Sequence, residues 1–141
     1  MKVDPANHPS HFLRLSVRAN ALFSSLSGFV FILASARVAA ILGDVPALWV
    51  VAVGLQLLLF AGALVWLASR PEISLPLAVG VIVADLLWVL GTGVVVYADV
   101  LPSQGEILVL VLADVVLIMA VAQSIGVRRL TTAALETDAR T

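Results

Sequence analysis

Gln56, Asp85 and Asp114 are spaced 29 residues apart, each near the middle of a separate long apolar run. If those runs cross a bilayer in alternating directions, an amide and two carboxyls stack at one depth. Carboxyls in that setting can exchange a proton, accept from a cation, or hydrogen-bond each other. They are also expensive, since an ionised Asp at the centre of a span costs about 2.5–3.5 kcal/mol on insertion scales. The expected resting state therefore has at least one carboxyl protonated, with the pair sharing a proton if their helices turn these faces together. On the same run as Asp85, Trp88 and Thr92 follow at i+3 and i+7, one stripe of a helix. Trp88 can offer an indole N–H to a carboxyl, and Thr92 a hydroxyl one turn further. Asp85, Asp114, Gln56, Trp88 and Thr92 are thus the candidate ligand- or proton-binding residues. Polar residues also serve as glue between membrane helices, but each such bond contributes only about 0.6 kcal/mol on average, too little to offset a buried Asp.

Elements that would position these groups are legible from composition. The chain has 141 residues, 62% hydrophobic and 12% charged. Soluble domains carry about 25% charged residues, and a core of this size could not hide so much apolar surface. The expected class is all-α integral membrane, a four-span up-and-down transmembrane helix bundle. Four runs reach the roughly 20 residues that a crossing needs: residues 19–41, 47–68, 75–97 and 106–125. Gly43-Asp44-Val45-Pro46, Ser69-Arg70-Pro71-Glu72 and the stretch from Asp99 to Gly105 supply turn chemistry between them. The domain reading is an N-terminal segment, 1–18, the bundle, 19–126, and a short polar tail, 127–141, expected to be mobile from Thr131 onward. Residues 1–10 are polar with Pro5 and Pro9, which reads as a retained terminus and not a cleaved signal.

Basic residues give an orientation. Lys2, Arg14 and Arg18 precede span 1, Arg70 lies between spans 2 and 3, and Arg128, Arg129 and Arg140 follow span 4. In an even topology these seven of the eight basic residues share a side, while Asp44, Asp99 and Glu106 face the other. The positive-inside rule then makes both termini cytoplasmic, in a multi-pass protein of the plasma (inner) membrane. Arg37, the eighth, is expected to snorkel to the outer interface toward Asp44, Asp99 or Glu106. His11, Arg14 and Arg18 form a basic stripe, consistent either with a short interfacial helix or with a plain extension of span 1. Ser24, Gly28, Phe31 and Ser35 make a small-residue face on span 1, and Gly54, Gly62, Gly80, Gly91 and Gly93 permit close approach or local flexibility elsewhere. These faces are expected to close around the polar layer.

Several chemistries are disfavoured. There is no cysteine, and both histidines, His8 and His11, precede the first span, so thiolate metal sites and paired haem ligation within the bundle are not expected. Lys2 is the only lysine, outside every span, which excludes a retinal Schiff base. No phosphate loop, nucleophile elbow or zinc-type His pair occurs; no metal or other cofactor is expected, and with a net charge of −1 no nucleic acid either. Intramembrane aspartyl proteases carry Gly-x-Gly-Asp, whereas Asp85 follows Ile82-Val83-Ala84 and Asp114 follows Val111-Leu112-Ala113. In size and span count the chain is similar to small multidrug transporters, but those place a Glu in the first helix where this one offers serines. That likeness is architectural and assigns no family. The leading functional reading is proton-linked binding or transport of a cation or small polar ligand at a carboxylate site, within a homo-oligomer or beside a membrane-protein partner. The alternative is a non-catalytic accessory or assembly subunit of a membrane complex, and an enzyme is the least supported reading.

Overall fold

The computed structural model describes residues 9–138, which form five helices: α1 (Pro9–Leu33), α2 (Ser35–Ile41), α3 (Ala47–Ser69), α4 (Leu75–Tyr97) and α5 (Ser103–Asp138). No strand occurs among the described residues. α1, α3, α4 and α5 are each long and apolar enough to cross a membrane, so the chain is a multi-pass, all-α bundle. α4 coincides with the expected third span and α3 runs one residue past the second. The other two differ. α1 starts at Pro9 and runs without a break into the bilayer region, which favours the plain extension over a separate interfacial helix. It breaks at Ala34 (φ −110°, ψ 23°), beyond which the short α2 carries the exposed Arg37. α5 has 36 residues, about 54 Å of helix at 1.5 Å per residue. The tail expected to be mobile from Thr131 is therefore helical as far as Asp138, and it projects past a hydrocarbon core of about 30 Å. Residues 1–8 and 139–141 of the N-terminal and tail segments lie outside the described residues.

Close backbone contact fixes how α1 and α3 cross. A Cβ built at Gly28 would lie 2.8 Å from the Gly54 carbonyl oxygen, and one at Gly54 2.9 Å from the Gly28 carbonyl oxygen. Nothing but glycine fits on either side, the small-residue logic of membrane helix packing. Gly62, Gly80, Gly91 and Gly93 meet nothing within 4 Å, so of the expected close-approach glycines only Gly54 serves that purpose. At the end rich in arginine, Leu13, Val17 and Ala21 of α1 pack with Leu64, Leu67 and Ala68 of α3 and Ala78 of α4. Leu13 also sits against Gly126 of α5, where a Cβ would come within 2.8 Å of its own. At the opposite end Phe31, Val38, Ala39 and Val50 form a second cluster, flanked by Leu108 and Leu112.

Arg14 ties this basic end together. Its guanidinium donates to the carbonyls of Ala68, Arg70 (2.6 Å) and Pro71 (3.0 Å). The last carbonyls of a helix have no intrahelical partner, and a planar fork of five N–H donors suits several of them at once. Arg70 lies over the Trp66 ring at 4.0 Å, and Arg129 over Phe12 at 4.9 Å.

The four long helices do not close a ring. α1 packs against α3 and α5, and α4 packs against α5, whereas α3 and α4 barely touch. They meet beside their connection, where Ala78 joins the Leu64–Leu67–Ala68 cluster, and diverge from there. The spatial order is α3–α1–α5–α4, open between the first and the last. The expected closure of all faces around a polar layer is thus corrected to a bundle with one open side.

Candidate ligand site in an intramembrane cleft

Each spanning helix buries a narrow stripe, and the polar residues that fall on those stripes make the site. On α4 only Ala78 and Asp85, seven residues apart, are fully buried. On α1 the buried stripe reads Leu13, Val17, Asn20, Ser24, Gly28 and Phe31, steps of three and four. On α5 it reads Ala113, Val116, Ala120, Gln123 and Gly126. Asn20 and Gln123 are both 0% exposed and Asp85 is 4% exposed.

They converge on one oxygen. Asn20 donates from Nδ2 to Asp85 Oδ2 at 2.7 Å, and Gln123 Nε2 approaches the same Oδ2 at 3.5 Å. Ser24 Oγ donates to Asn20 Oδ1 at 3.3 Å, which orients the amide so that its N–H group faces the carboxyl. The Gln123 carbonyl oxygen is buried and has no hydrogen-bond partner among the described residues. Asp85 is therefore held by neutral amides, and among the described residues no basic side chain bonds to it and nothing bonds its Oδ1.

This arrangement corrects the expected polar layer. Asp114 lies nine residues before Gln123 on α5, two and a half turns, so when Gln123 faces the core Asp114 faces out. It is exposed, and no hydrogen bond or ion pair reaches it among the described residues. The two residues are also separated by about 14 Å along the helix, which takes Asp114 far from Asp85 and removes the shared-proton pair. Gln56 differs in depth as well. The Gly28–Gly54 contact sets it level with residue 26 of α1, about 9 Å from the level of Asn20. Thr92 donates its hydroxyl to the Trp88 carbonyl oxygen of its own helix (3.0 Å). Trp88 itself is half-buried, and its indole makes no bond to a carboxyl.

What the structure does bring together is a cleft of about 330 Å³ on the open side of the bundle. Asp85, Trp88 and Gln56 line it, with Ser24 and Ser27 of α1. Phe23, Phe31, Phe60 and Leu112 give it apolar walls. α1 and α5 form its floor and α3 and α4 its sides. Gln56 and Leu59 line it while staying exposed, so it opens on the face that lipid would cover. A mostly apolar cavity with a few convergent polar groups is the usual character of a small-molecule site. Among the described residues no group of three His, Cys, Asp or Glu is placed to hold a metal.

Sequence reasoning reached Asp85, Trp88 and Gln56 but missed Asn20 and Gln123. Both sit where hydropathy ends a span, within two residues of the expected boundaries at 19 and 125, and so read as interfacial. The available signal was the run Ser16, Asn20, Ser24, Ser27 on one face of α1, alongside the step of three from Ala120 to Gln123. Compared with protein-family models, with curated proteins and with solved structures, the chain matches none.

Proposed function

We propose that this protein binds a cation or small polar ligand at Asp85 within the membrane, exchanging a proton as the ligand comes and goes. The observation that carries this reading is a buried carboxyl lining an open cleft, neutralised by no basic residue among those described. A carboxyl used only as glue would gain from a cationic partner, and among the described residues Asp85 has none; although only 4% exposed, it still lines the cleft. Its two amide partners hold the carboxyl in place while leaving one oxygen for a visitor. The arginine-rich end faces the cytoplasm of a plasma (inner) membrane in this reading, with both termini on that side, and Asp85 lies about 9 Å beyond the level of Arg14.

The test is calorimetry on the protein in lipid nanodiscs, titrated with methylammonium in two buffers of different ionisation enthalpy. Binding with a buffer-dependent heat, lost in a folded Asp85→Asn variant, supports the site and its proton. Binding unchanged by Asp85→Asn would remove it.

One observation favours the accessory or assembly reading as a complement. Asp114 presents an exposed carboxyl on α5, within a helix apolar enough to cross a membrane, where an unpaired acid is costly. A partner helix, from a second copy or another membrane protein, would cover it.

A further inference from the structure

Resting on the reading of Asp85 as a ligand site, we infer that its ligand is a long-chain primary amine, an N–H-bearing cation with an apolar tail, which enters sideways from the bilayer between α3 and α4. Three features of the cleft carry this.

The first is hydrogen-bond arithmetic at the closed end. Ser24 spends its only O–H on Asn20 Oδ1, so toward the cleft it presents lone pairs. Asn20 spends an N–H on Asp85 Oδ2, the oxygen that Gln123 also approaches, which leaves Oδ1 as a bare acceptor. Behind Asp85 the Gln123 carbonyl oxygen is wholly buried without a donor. Three acceptors beside the carboxyl, Ser24 Oγ, Asp85 Oδ1 and Gln123 Oε1, thus receive no donor, while Asn20 and Gln123 keep one further N–H each. A primary ammonium has three N–H donors, whereas a quaternary ammonium has charge and no N–H, so it leaves those acceptors unpaired at the full desolvation cost. The second feature is the wall. Phe23, Phe60 and Phe31 continue up the cleft from the polar end, and a small hydrophilic cation would leave that surface facing nothing. The third is the opening. Because α3 and α4 separate beyond Ala78, the cleft communicates with the acyl-chain region along its side. An amine already dissolved in the leaflet reaches Asp85 headfirst with its tail still among lipid chains.

The experiment uses Trp88 as a reporter inside the cleft. In the full chain carrying Trp49→Phe and Trp66→Phe, two exposed positions near helix ends, Trp88 is the sole tryptophan. Nanodiscs of this protein are titrated with decylamine brominated at mid-chain, a contact quencher placed within reach of Trp88. Matched titrations use brominated decyltrimethylammonium and brominated decanol, and methylammonium serves as a competitor. The expected result is saturable quenching by the amine, with the trimethylammonium and the alcohol weaker by about tenfold or more, about 1.4 kcal/mol. Asp85→Asn should weaken the amine by a similar factor, and methylammonium should displace it only at far higher concentration. Equal quenching by the trimethylammonium compound would overturn the N–H requirement. Displacement by methylammonium as tight as decylamine itself would overturn the tail and the lateral route. Both outcomes leave Asp85 standing as a cation site. If neither amine depends on Asp85, the site reading goes with the inference. The comparison among probes needs no change at the site, so it remains decisive even where Asp85→Asn fails to fold.

Discussion

At the residue scale the protein places its polar side chains by partner. Asn20, Asp85 and Gln123 come from α1, α4 and α5 and meet at one carboxylate oxygen. Removing one amide should therefore affect the other groups. We expect Asn20→Val to destabilise the protein by about 1–2 kcal/mol in reversible SDS unfolding, at the upper end for interhelical bonds in membranes. The same change in an Asp85→Leu background should cost clearly less, because no carboxyl is left to be stranded. Additive costs would show that the bond does not couple the two helices. Arg14 supports a second expectation. Arg14→Met removes three charge-assisted donations to the end of α3, each of which is worth about 1.5–3 kcal/mol when the group is buried and less here, where two of the three are exposed. Hydrogen exchange should then quicken at residues 67–69, the last turn of α3, and at Arg70 before anywhere earlier in the helix. Unaltered protection there would mean that the contacts are incidental.

Elements show how much the sequence discloses and where it stops. Span number, antiparallel order and the class of the fold were legible, because a run of apolar residues and a turn signal are local facts. The register of one helix against another was not. It is set by contacts such as Gly28 on Gly54 and Gly126 on Leu13, which leave no trace in hydropathy. Equal spacing of 29 residues suggested that Asp85 and Asp114 share a depth, but the α5 side chain that bonds Asp85 is Gln123. α5 also carries the clearest surface consequence. Ile118 follows Asp114 by four residues and is exposed on the same side of the helix. The chain has no cysteine, so Ile118→Cys introduces a sole thiol. If a second copy covers Asp114, oxidation in native membranes should give a disulfide-linked dimer, while a cysteine at exposed Leu59, on the rim of the cleft, should not. No dimer from Ile118→Cys would point the Asp114 face toward a different protein. The glycines differ just as sharply. Gly28→Ala must force α1 from α3, whereas Gly62→Ala meets nothing within 4 Å and should stabilise α3 by up to about 1 kcal/mol through helix propensity. Equal behaviour of the two in thermal unfolding would contradict the crossing.

At the scale of the whole molecule, three helix pairs hold the bundle and a fourth is left apart, which gives the cleft one side made of lipid. Rigidity is concentrated at the arginine-rich end, where α1, α3, α4 and α5 share the Leu13–Leu64–Ala78 cluster. The opening between α3 and α4 lies beyond it. Bridging α3 to α4 across the rim with a bifunctional thiol reagent between cysteines placed at Leu59 and Ala84, both exposed and both lining the cleft, should leave the fold intact and abolish quenching of Trp88 by the brominated amine. The polar cluster also has a bearing on how the chain is made. α1 is the least apolar of the four spans and the most buried within the bundle, yet it emerges from the ribosome before the other three. Asn20 must wait for Asp85 of α4, and Leu13 and Val17 gain their α5 wall only with the last helix, through Gly126. The earliest of these four spans thus completes its set of partners only with the last. A chain released at residue 102 should keep α1 on α3 but leave Leu13 and Val17 without their α5 wall, so α1 should be extracted from the membrane more readily than in the full chain.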